Sequence, residues 1–165
     1  MAARRRYDVL GSDLALTGYA GVPSTVELIT ADSWGELDLR VKPGGQGGLR
    51  QAGDVLDLAV ATGRENLGQA LLLRILTMKG ALAPLGHPQY GSRIPSLVGQ
   101  LNDEQTRNLA RLYTIEAMSD EPRVRELRRL VVEPVNGYPD TIRIEFDVVP
   151  LGDEDAINVS LDVTL

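Results

Sequence analysis

Two segments near the C-terminal end of the sequence alternate between apolar and polar residues almost without a break. The apolar positions are Ile142, Ile144, Phe146 and Val148 in the first segment, and Ile157, Val159, Leu161, Val163 and Leu165 in the second. Successive side chains of a strand point to opposite faces, so each segment predicts a strand with one apolar face. We expect a β-hairpin whose second strand is either held in its own sheet or offered to another chain.

Two amphipathic helices are expected before these strands. The first begins near Thr62, which has capping-box spacing to Glu65, and ends before Gly80, a residue type favoured just past a helix. The second runs from Asn102 to the residues before Pro122, because proline disfavours helical geometry in the residue that precedes it. The predicted apolar stripes are Leu67, Leu71, Ile75 and Met78 on the first helix, and Leu109, Leu112, Tyr113, Ile115 and Met118 on the second.

The first 61 residues contain short β-like segments at 37–41 and 55–60, joined through the glycine-rich stretch 43–48. That stretch lacks the Gly-Lys-Ser/Thr ending of a phosphate-binding loop, so we interpret it as a flexible connection. A further strand is expected at 130–132. The whole pattern predicts an α+β fold, with two main helices packed on a small antiparallel sheet that ends in a C-terminal β-hairpin. We expect an irregular or β-like N-terminal extension at 1–53 and one domain at 54–165.

Composition and charge narrow the classes of function. The chain carries a net charge of −6, and residues 133–165 contribute one basic and eight acidic side chains. Nucleic acid is therefore not an expected partner, because binding to phosphates depends on clustered Lys and Arg. No apolar run reaches the roughly 20 residues of a membrane-spanning helix, so no membrane partner is expected. An acidic end and a basic middle (residues 62–132) suit head-to-tail pairing of different subunits, although solvation alone also explains them.

Candidate catalytic groups are few. The chain has no cysteine and a single histidine, His87, which lies in a turn-rich segment, so neither a thiolate or histidine metal site nor a Ser-His-Asp triad is expected. A glycosidase needs two carboxylates, one with a raised pKa. The helical candidates Glu65, Glu116 and Glu121 form no recognisable acid and base pair. We therefore expect no enzyme activity.

The tripeptide Glu121-Pro122-Arg123 places two opposite charges on either side of a residue with a fixed backbone angle. Arg123 can make a two-pronged contact with a carboxylate, either in its own chain or in another protein. From the residues alone, an internal brace and an interface role are equally supported.

Several short motifs together resemble a known family. They are NLGQAL at residues 66–71, RILT at 74–77, Gly80, PQYGS at 88–92, and Glu121-Pro122-Arg123. In this order and spacing they are similar to the baseplate wedge, or sheath-initiator, family of contractile phage tails and contractile injection systems, including type VI secretion baseplates. The resemblance covers about residues 54–165.

The resemblance implies a non-enzymatic structural protein that joins the baseplate wedge to the sheath and templates the first sheath ring by adding a C-terminal strand. It implies the sheath subunit, wedge proteins and tube or hub proteins as partners, several copies in a ring, and no cofactor. The chain would be made in a bacterial or archaeal cytoplasm and assembled into a phage virion or a tail-like particle. The implied interface residues are Glu121, Pro122, Arg123, Ile142, Ile144, Phe146, Val148, Ile157, Val159, Leu161, Val163 and Leu165.

Two alternatives stay open at this point. Some members of the family have been labelled lysozyme-like, so one alternative is a peptidoglycan hydrolase of the baseplate, although the residues give that label no physical support. The other is a monomeric adaptor whose sheet is closed within its own chain.

Overall fold

A computed structural model describes residues 9–16, 19–21, 25–28, 39–43 and 56–165. The strands are β1 Ser12–Leu14, β2 Tyr19–Gly21, β3 Thr25–Leu28, β4 Val41–Pro43, β5 Leu56–Leu58, β6 Val60–Thr62, β7 Val124–Val135, β8 Tyr138–Pro150 and β9 Ile157–Thr164. The two α-helices are α1, Arg64–Leu76, and α2, Glu104–Ser119. Strand β5 lies within the segment expected at 55–60, whereas β4 shares only Val41 with the segment expected at 37–41. Residues 37 and 38, and the glycine-rich stretch after Pro43, lie outside the described residues.

The main sheet has five strands in the order β2-β3-β9-β8-β7. Its last three strands form the expected antiparallel meander, with Ile144 of β8 opposite Leu161 of β9 and Val132 of β7. The sheet is not purely antiparallel, because β3 runs parallel to β9. Periodicity within a segment carries no information about that pairing, which joins residues more than a hundred positions apart.

The apolar face of the meander forms the core together with the two helices, which confirms the α+β fold. Phe146 of β8 and Val159 of β9 are fully buried, and they belong to the same cluster as Leu71 and Ile75 of α1 and Met118 of α2. Each of these side chains removes apolar surface from water, and each stabilises the fold by about 1.5–3 kcal/mol.

The N-terminal segment also contributes to this core. Leu10 is 1% exposed within the main cluster, and β3 extends the main sheet. A smaller cluster of Ala15, Ala59 and Ala61 lies next to the pairing of β1 with β6. A domain boundary after residue 53 stays a prediction, but the described part of the preceding segment packs on the rest.

The start of α1 differs from the capping-box prediction. Thr62 is the last residue of β6, opposite Ser12, and Gly63 precedes the helix with a φ of 61°. The Glu65 carboxylate instead accepts a hydrogen bond from Arg40 at 2.7 Å. The prediction was wrong because strand pairing with β1 holds Thr62 in extended geometry, which a local motif does not reveal.

The end of α1 also differs from the prediction. The helix ends at Leu76, and the Thr77 hydroxyl donates to the carbonyl of Leu73 at 2.6 Å. Beyond it the chain pairs with the segment before α2, because the Lys79 amide donates to the Ser92 carbonyl and the Ser92 amide donates to the Thr77 carbonyl. Met78, expected on the apolar stripe, is therefore 53% exposed.

Helix α2 begins two residues later than predicted. Asp103 is its N-cap and accepts from the Thr106 amide at 2.8 Å, which also lowers the pKa of the Asp103 carboxyl. The side chain of Asn102 instead donates to the carbonyls of Pro139 and Thr141 near the start of β8.

Part of the stripe predicted for α2 does not face the core. Leu112 and Ile115 are 56% and 45% exposed, and the buried positions include Ala110, Thr114 and Ala117. Small side chains allow a helix to approach a sheet closely, and hydrophobicity alone does not identify them as the inner face.

Gly91 lies in the connection between α1 and α2, next to Ser92, where the chain pairs with residues 77–79. Its φ is +102°, and a Cβ atom built on it would lie 2.6 Å from the carbonyl oxygen of Thr77. We expect Gly91→Ala to lower the free energy of unfolding by about 2–4 kcal/mol, since it adds a steric clash to the backbone strain. Gly86→Ala is the matched control, because Gly86 also has a positive φ but has open space around it. Its cost should be only about 1 kcal/mol in the same urea titration, and equal losses would contradict the steric account.

Candidate protein interface

Glu121 is the centre of a buried ion cluster. Its side chain is 4% exposed and accepts from Arg74 at 2.9 Å and from Arg123 Nε at 2.6 Å. The Arg123 amide also approaches this carboxylate, at 3.3 Å. Pro122 holds the chain between Glu121 and Arg123 in a turn, so both charges of the tripeptide point to one place.

The cluster connects four segments of the chain. Tyr90 stacks on the Arg74 guanidinium at 4.7 Å from the ring centre, and Arg123 Nη1 donates to the carbonyl of Leu10 at 3.3 Å. Helix α1, the connection before α2, the turn into β7 and the N-terminal segment therefore meet around one carboxylate. Among the described residues, Arg74 Nε is a buried donor with no acceptor.

Two arginines share one carboxylate here, so the cluster keeps a net positive charge. Burial by itself raises the pKa of Glu121, but the hydrogen bonds and charges of Arg123 and then of Arg74 outweigh it and hold this pKa below the ordinary value. Glu121 is thus kept ionised. The structure shows the internal brace that the tripeptide allowed. An additional contact of Arg123, whose side chain is 26% exposed, with another protein stays a prediction.

The apolar residues predicted for the interface lie inside the protein. The fully or almost fully buried side chains are Ile142, Ile144, Phe146, Val148, Ile157, Val159, Leu161, Val163 and Leu165. In this conformation they cannot contact a partner through their side chains. Any strand addition must therefore use the main chain at an edge of the sheet.

The side of β9 that faces away from β8 pairs with β3 along part of its length in the described residues. The Leu165 amide donates to the Asp140 carbonyl at 2.7 Å, on the side of β8. Main-chain groups of an antiparallel strand alternate between its two sides, so those of Asp162 and Thr164 point away from β8. On that side, the described part of β3 pairs with residues 158–160. Of these two residues, Thr164 is exposed, whereas Asp162 is 5% exposed.

The edge of the sheet that β7 forms is protected in several ways. Its pairing with β8 is interrupted by irregularities at three places, and Pro134 removes one amide donor. Arg111 of α2 donates to the carbonyl of Val132 at 2.7 Å, and Arg125 and Arg128 add charge. Bulges, proline and charge are the devices by which natural sheets avoid pairing with other chains. Strand β7 is therefore poorly suited to pairing with another chain.

The outward side chains of β8 and β9 form a polar network. Arg143 binds the Asp162 carboxylate with two hydrogen bonds of 2.7 and 2.8 Å, and Asn158 donates to Asp147 at 2.7 Å. The two-pronged geometry fixes Asp162, whose side chain is 5% exposed. The side chains of Asp162 and Asn158 are therefore held in place.

The carboxylates considered for hydrolysis are engaged in ion pairs. Glu116 accepts from Lys79 at 2.9 Å, and this hydrogen bond lowers the pKa of Glu116. Glu65 pairs with Arg40, and Glu121 lies in the buried cluster. His87 is exposed in the connection before α2. The described residues contain no group of His, Asp and Glu side chains that could hold a metal ion, and none of their helices has the length and hydropathy to cross a membrane.

Sequence reasoning missed Arg74, Tyr90 and Leu10 as members of the ion cluster. One signal was available, because Arg74 stands between Leu71 and Ile75 on the buried stripe of α1. A charged residue flanked by core positions indicates a buried partner. The identity of that partner depends on the tertiary fold.

No protein-family model matches this chain. No curated protein matches it either. Among solved structures, the chain is similar to a crystal structure from Geobacter sulfurreducens of a protein provisionally described as a tail lysozyme. The TM-score is 0.52 at 20% sequence identity, over 61% of this chain and 89% of the other. This similarity shows a shared fold.

The lowered pKa of Glu121 gives a prediction for stability. A lowered pKa stabilises the folded state above the ordinary carboxyl value of 4.5, and this contribution is lost as the pH falls through the folded-state value. We expect Glu121→Gln to lower the free energy of unfolding at pH 7 by about 3–5 kcal/mol, because two buried cations lose their anion. The difference from the native protein should shrink below about pH 4.

The matched control for this prediction is Glu145→Gln, which removes the partly exposed pair with Arg129. That loss should be about 0–1 kcal/mol. Urea titrations at several pH values measure both variants, and a Glu121→Gln effect that is small or independent of pH would contradict the brace.

Proposed function

We propose that this chain is a non-enzymatic structural subunit of a contractile phage tail or tail-like particle. It joins the baseplate wedge to the sheath, and it templates the first sheath ring through the outer edge of β9. Its partners are the sheath subunit, wedge proteins and tube or hub proteins, and several copies are arranged in a ring.

The observation that carries the proposal is the outward main chain of Thr164, an exposed residue at the end of β9. An extended segment of another protein can hydrogen-bond to such an edge, and each bond contributes about 0.5–1.5 kcal/mol net. The buried apolar face behind the edge makes the acceptor strand rigid. Repetition of this contact around a ring would give strong binding even if each single contact were weak.

The structural similarity supports a tail-related role in one respect. The Geobacter protein shares the fold and is described by its association with a tail. Because one fold can serve several functions, the fold alone does not decide between a structural and a lytic subunit. The chemistry of the carboxylates bears on that choice.

The ion pairs favour a structural subunit over a peptidoglycan hydrolase. A general acid in glycoside hydrolysis needs a raised pKa, whereas the pKa values of Glu116 and Glu121 are both lowered. The proposal therefore treats neither residue as an acid catalyst.

We expect the purified protein to release no soluble fragments from bacterial cell wall, in an assay where a known lysozyme does. Glu116→Gln should give the same baseline as the native chain. Turnover by the native protein that Glu116→Gln abolishes would establish the hydrolase alternative.

Arg123 provides a second contact in the proposal. The cluster around Glu121 has one positive charge in excess, and Arg123 is its most exposed member. A carboxylate of a wedge protein would complement this charge. Such a contact adds an intermolecular role to the internal brace and does not replace it.

One observation favours the closed-sheet adaptor as a second candidate. Strand β3 covers residues 158–160 of β9, so part of the edge is already paired within the chain. An adaptor of this kind would stay monomeric and would not respond to sheath protein.

A substitution at Thr164 separates these two candidates. Proline removes the outward amide and adds bulk at the edge, while the bonds between β8 and β9 stay intact because that amide points away from β8. We expect Thr164→Pro to reduce the number of sheaths formed on assembled baseplates at least tenfold, counted by electron microscopy. Thr164→Val keeps the amide and should assemble normally. Both variants should melt within a few degrees of the native protein, and normal sheath growth on Thr164→Pro baseplates would favour the closed-sheet adaptor.

A further inference from the structure

A cavity of about 340 Å³ lies between the first half of α2 and the segment that precedes it. We call it the α2 groove, and its lining residues all fall between Ser96 and Tyr113, within the continuous described stretch 56–165. The groove contains no residue of β9 or of the Glu121 cluster. It is therefore separate from both features described above.

The α2 groove has apolar side chains at different depths. Leu97 is buried in the core, and Leu109 and Tyr113 of α2 are partly buried against the same core. Leu101, in contrast, is 79% exposed. An apolar side chain from another molecule can therefore contact core residues and Leu101 at the same time.

The exposed apolar surface continues onto the turn between β7 and β8. The Asn102 side chain donates to the Pro139 carbonyl at 2.8 Å, and this contact brings the neighbours Leu101 and Tyr138 to the same end of the molecule. Tyr138 is exposed as well. Exposed apolar groups that cluster in this way indicate a surface that binds another protein.

Two side-chain amides of the α2 groove are free to bind a ligand. Within the described part of the chain, the side chains of Gln100 and Gln105 make no hydrogen bond. A glutamine amide offers both donors and an acceptor, which match the groups of a peptide main chain. Elsewhere in this protein, Gln69 accepts from the Leu16 amide and donates to the Leu14 carbonyl. Gln100 and Gln105 can bind the main chain of an extended segment in the same manner.

One side of the α2 groove is acidic. Three exposed carboxylates lie there, those of Asp103, Glu104 and Asp140. The basic side chain beside them, Arg107, donates to the main-chain and side-chain oxygens of Asn102. Three negative charges against one positive charge leave an excess of two negative charges, so this side attracts a cationic segment.

The other side of the α2 groove has compensated charges. Arg93 lies over the Tyr113 ring at 5.3 Å from its centre and pairs with Glu116 at 3.3 Å. The acidic side near Asp103 therefore determines which charge a partner needs and how the partner is oriented.

We propose that the α2 groove binds an extended segment of another protein in which apolar side chains stand next to Lys or Arg. The apolar side chains contact Leu97, Leu101 and Leu109, and the main chain bonds to the glutamine amides. The cation faces Asp103 and Glu104. Because the groove contains no part of β9, this binding does not depend on the proposed role in sheath assembly.

Selection from a random library of peptides of about twelve residues, with the full chain immobilised, tests the proposal. The enriched peptides should combine at least two apolar residues with a Lys or Arg. The tightest of them, made synthetically, should shift the amide resonances of residues 96–113 and 138–140 in the ¹⁵N-labelled protein. Enrichment of no peptide, or shifts that map to another part of the molecule, would overturn the proposal.

A substitution at Leu101 tests the apolar contact with the same peptide. We expect Leu101→Ser to weaken binding at least tenfold, measured by fluorescence anisotropy. The matched control is Leu85→Ser, because Leu85 is also an exposed leucine, at 73%, but lies outside the groove. It should change the affinity less than twofold. Both variants should melt within a few degrees of the native protein, and native affinity in Leu101→Ser would overturn the proposal.

A pair of charge substitutions tests the acidic side. Glu104→Gln combined with Asp140→Asn should weaken binding at least fivefold at low salt and reduce its dependence on salt. The matched control combines Glu154→Gln with Asp155→Asn, which removes the same charge from exposed residues elsewhere. Its effect should stay below twofold. Equal weakening by both pairs would show that the net charge of the chain attracts the peptide, which overturns recognition by the groove.

Discussion

The pairing of β8 with β9 in one register is the constraint on which the rest of the structure depends. Because their apolar residues share one face, the two strands present a continuous surface on which α1 and α2 pack. A shift by one residue would turn Phe146 and Val159 to the outside and bring Asp147 and Asn158 into the core. The same alternation directs Arg143 and Asp162 outward, where they form their ion pair. Core, outer network and sheet edge thus follow from a single register.

The Glu121 cluster has a different part in the architecture, because it joins four segments of the chain around one carboxylate. A buried ion pair contributes less net stability than an apolar core of equal volume, owing to the cost of desolvation. Its geometry is nevertheless specific, since the two carboxylate oxygens of Glu121 accept from Arg74 and from Arg123. We infer that the cluster fixes the position of the turn before β7 relative to α1 and Leu10.

Much of the fold was predictable because its signals are local. Alternation from Ile142 to Val148 and from Ile157 to Leu165 identified β8 and β9, and Pro122 marked the limit of α2. The errors arose where distant residues decide the outcome. Thr62 has the residue type of a helix cap, yet pairing with Ser12 keeps it in a strand. Leu112 is apolar, yet the close approach of α2 to the sheet selects Ala110 and Ala117 as inner residues. Contacts between distant residues also decide the partners of Glu121 and the placement of β3 beside β9. The periodicity of a sequence segment does not predict such contacts.

The long separation of β3 from β9 along the sequence also affects the rate of folding. Thr25 and Asn158 can meet only after the long intervening chain has closed into a loop, and closing a long loop costs entropy before any bond forms. Contacts of this kind slow folding, whereas the neighbouring strands β7 and β8 can pair early through a short turn. The pairing of β3 with β9 is therefore expected to form later in folding than the pairing of β7 with β8.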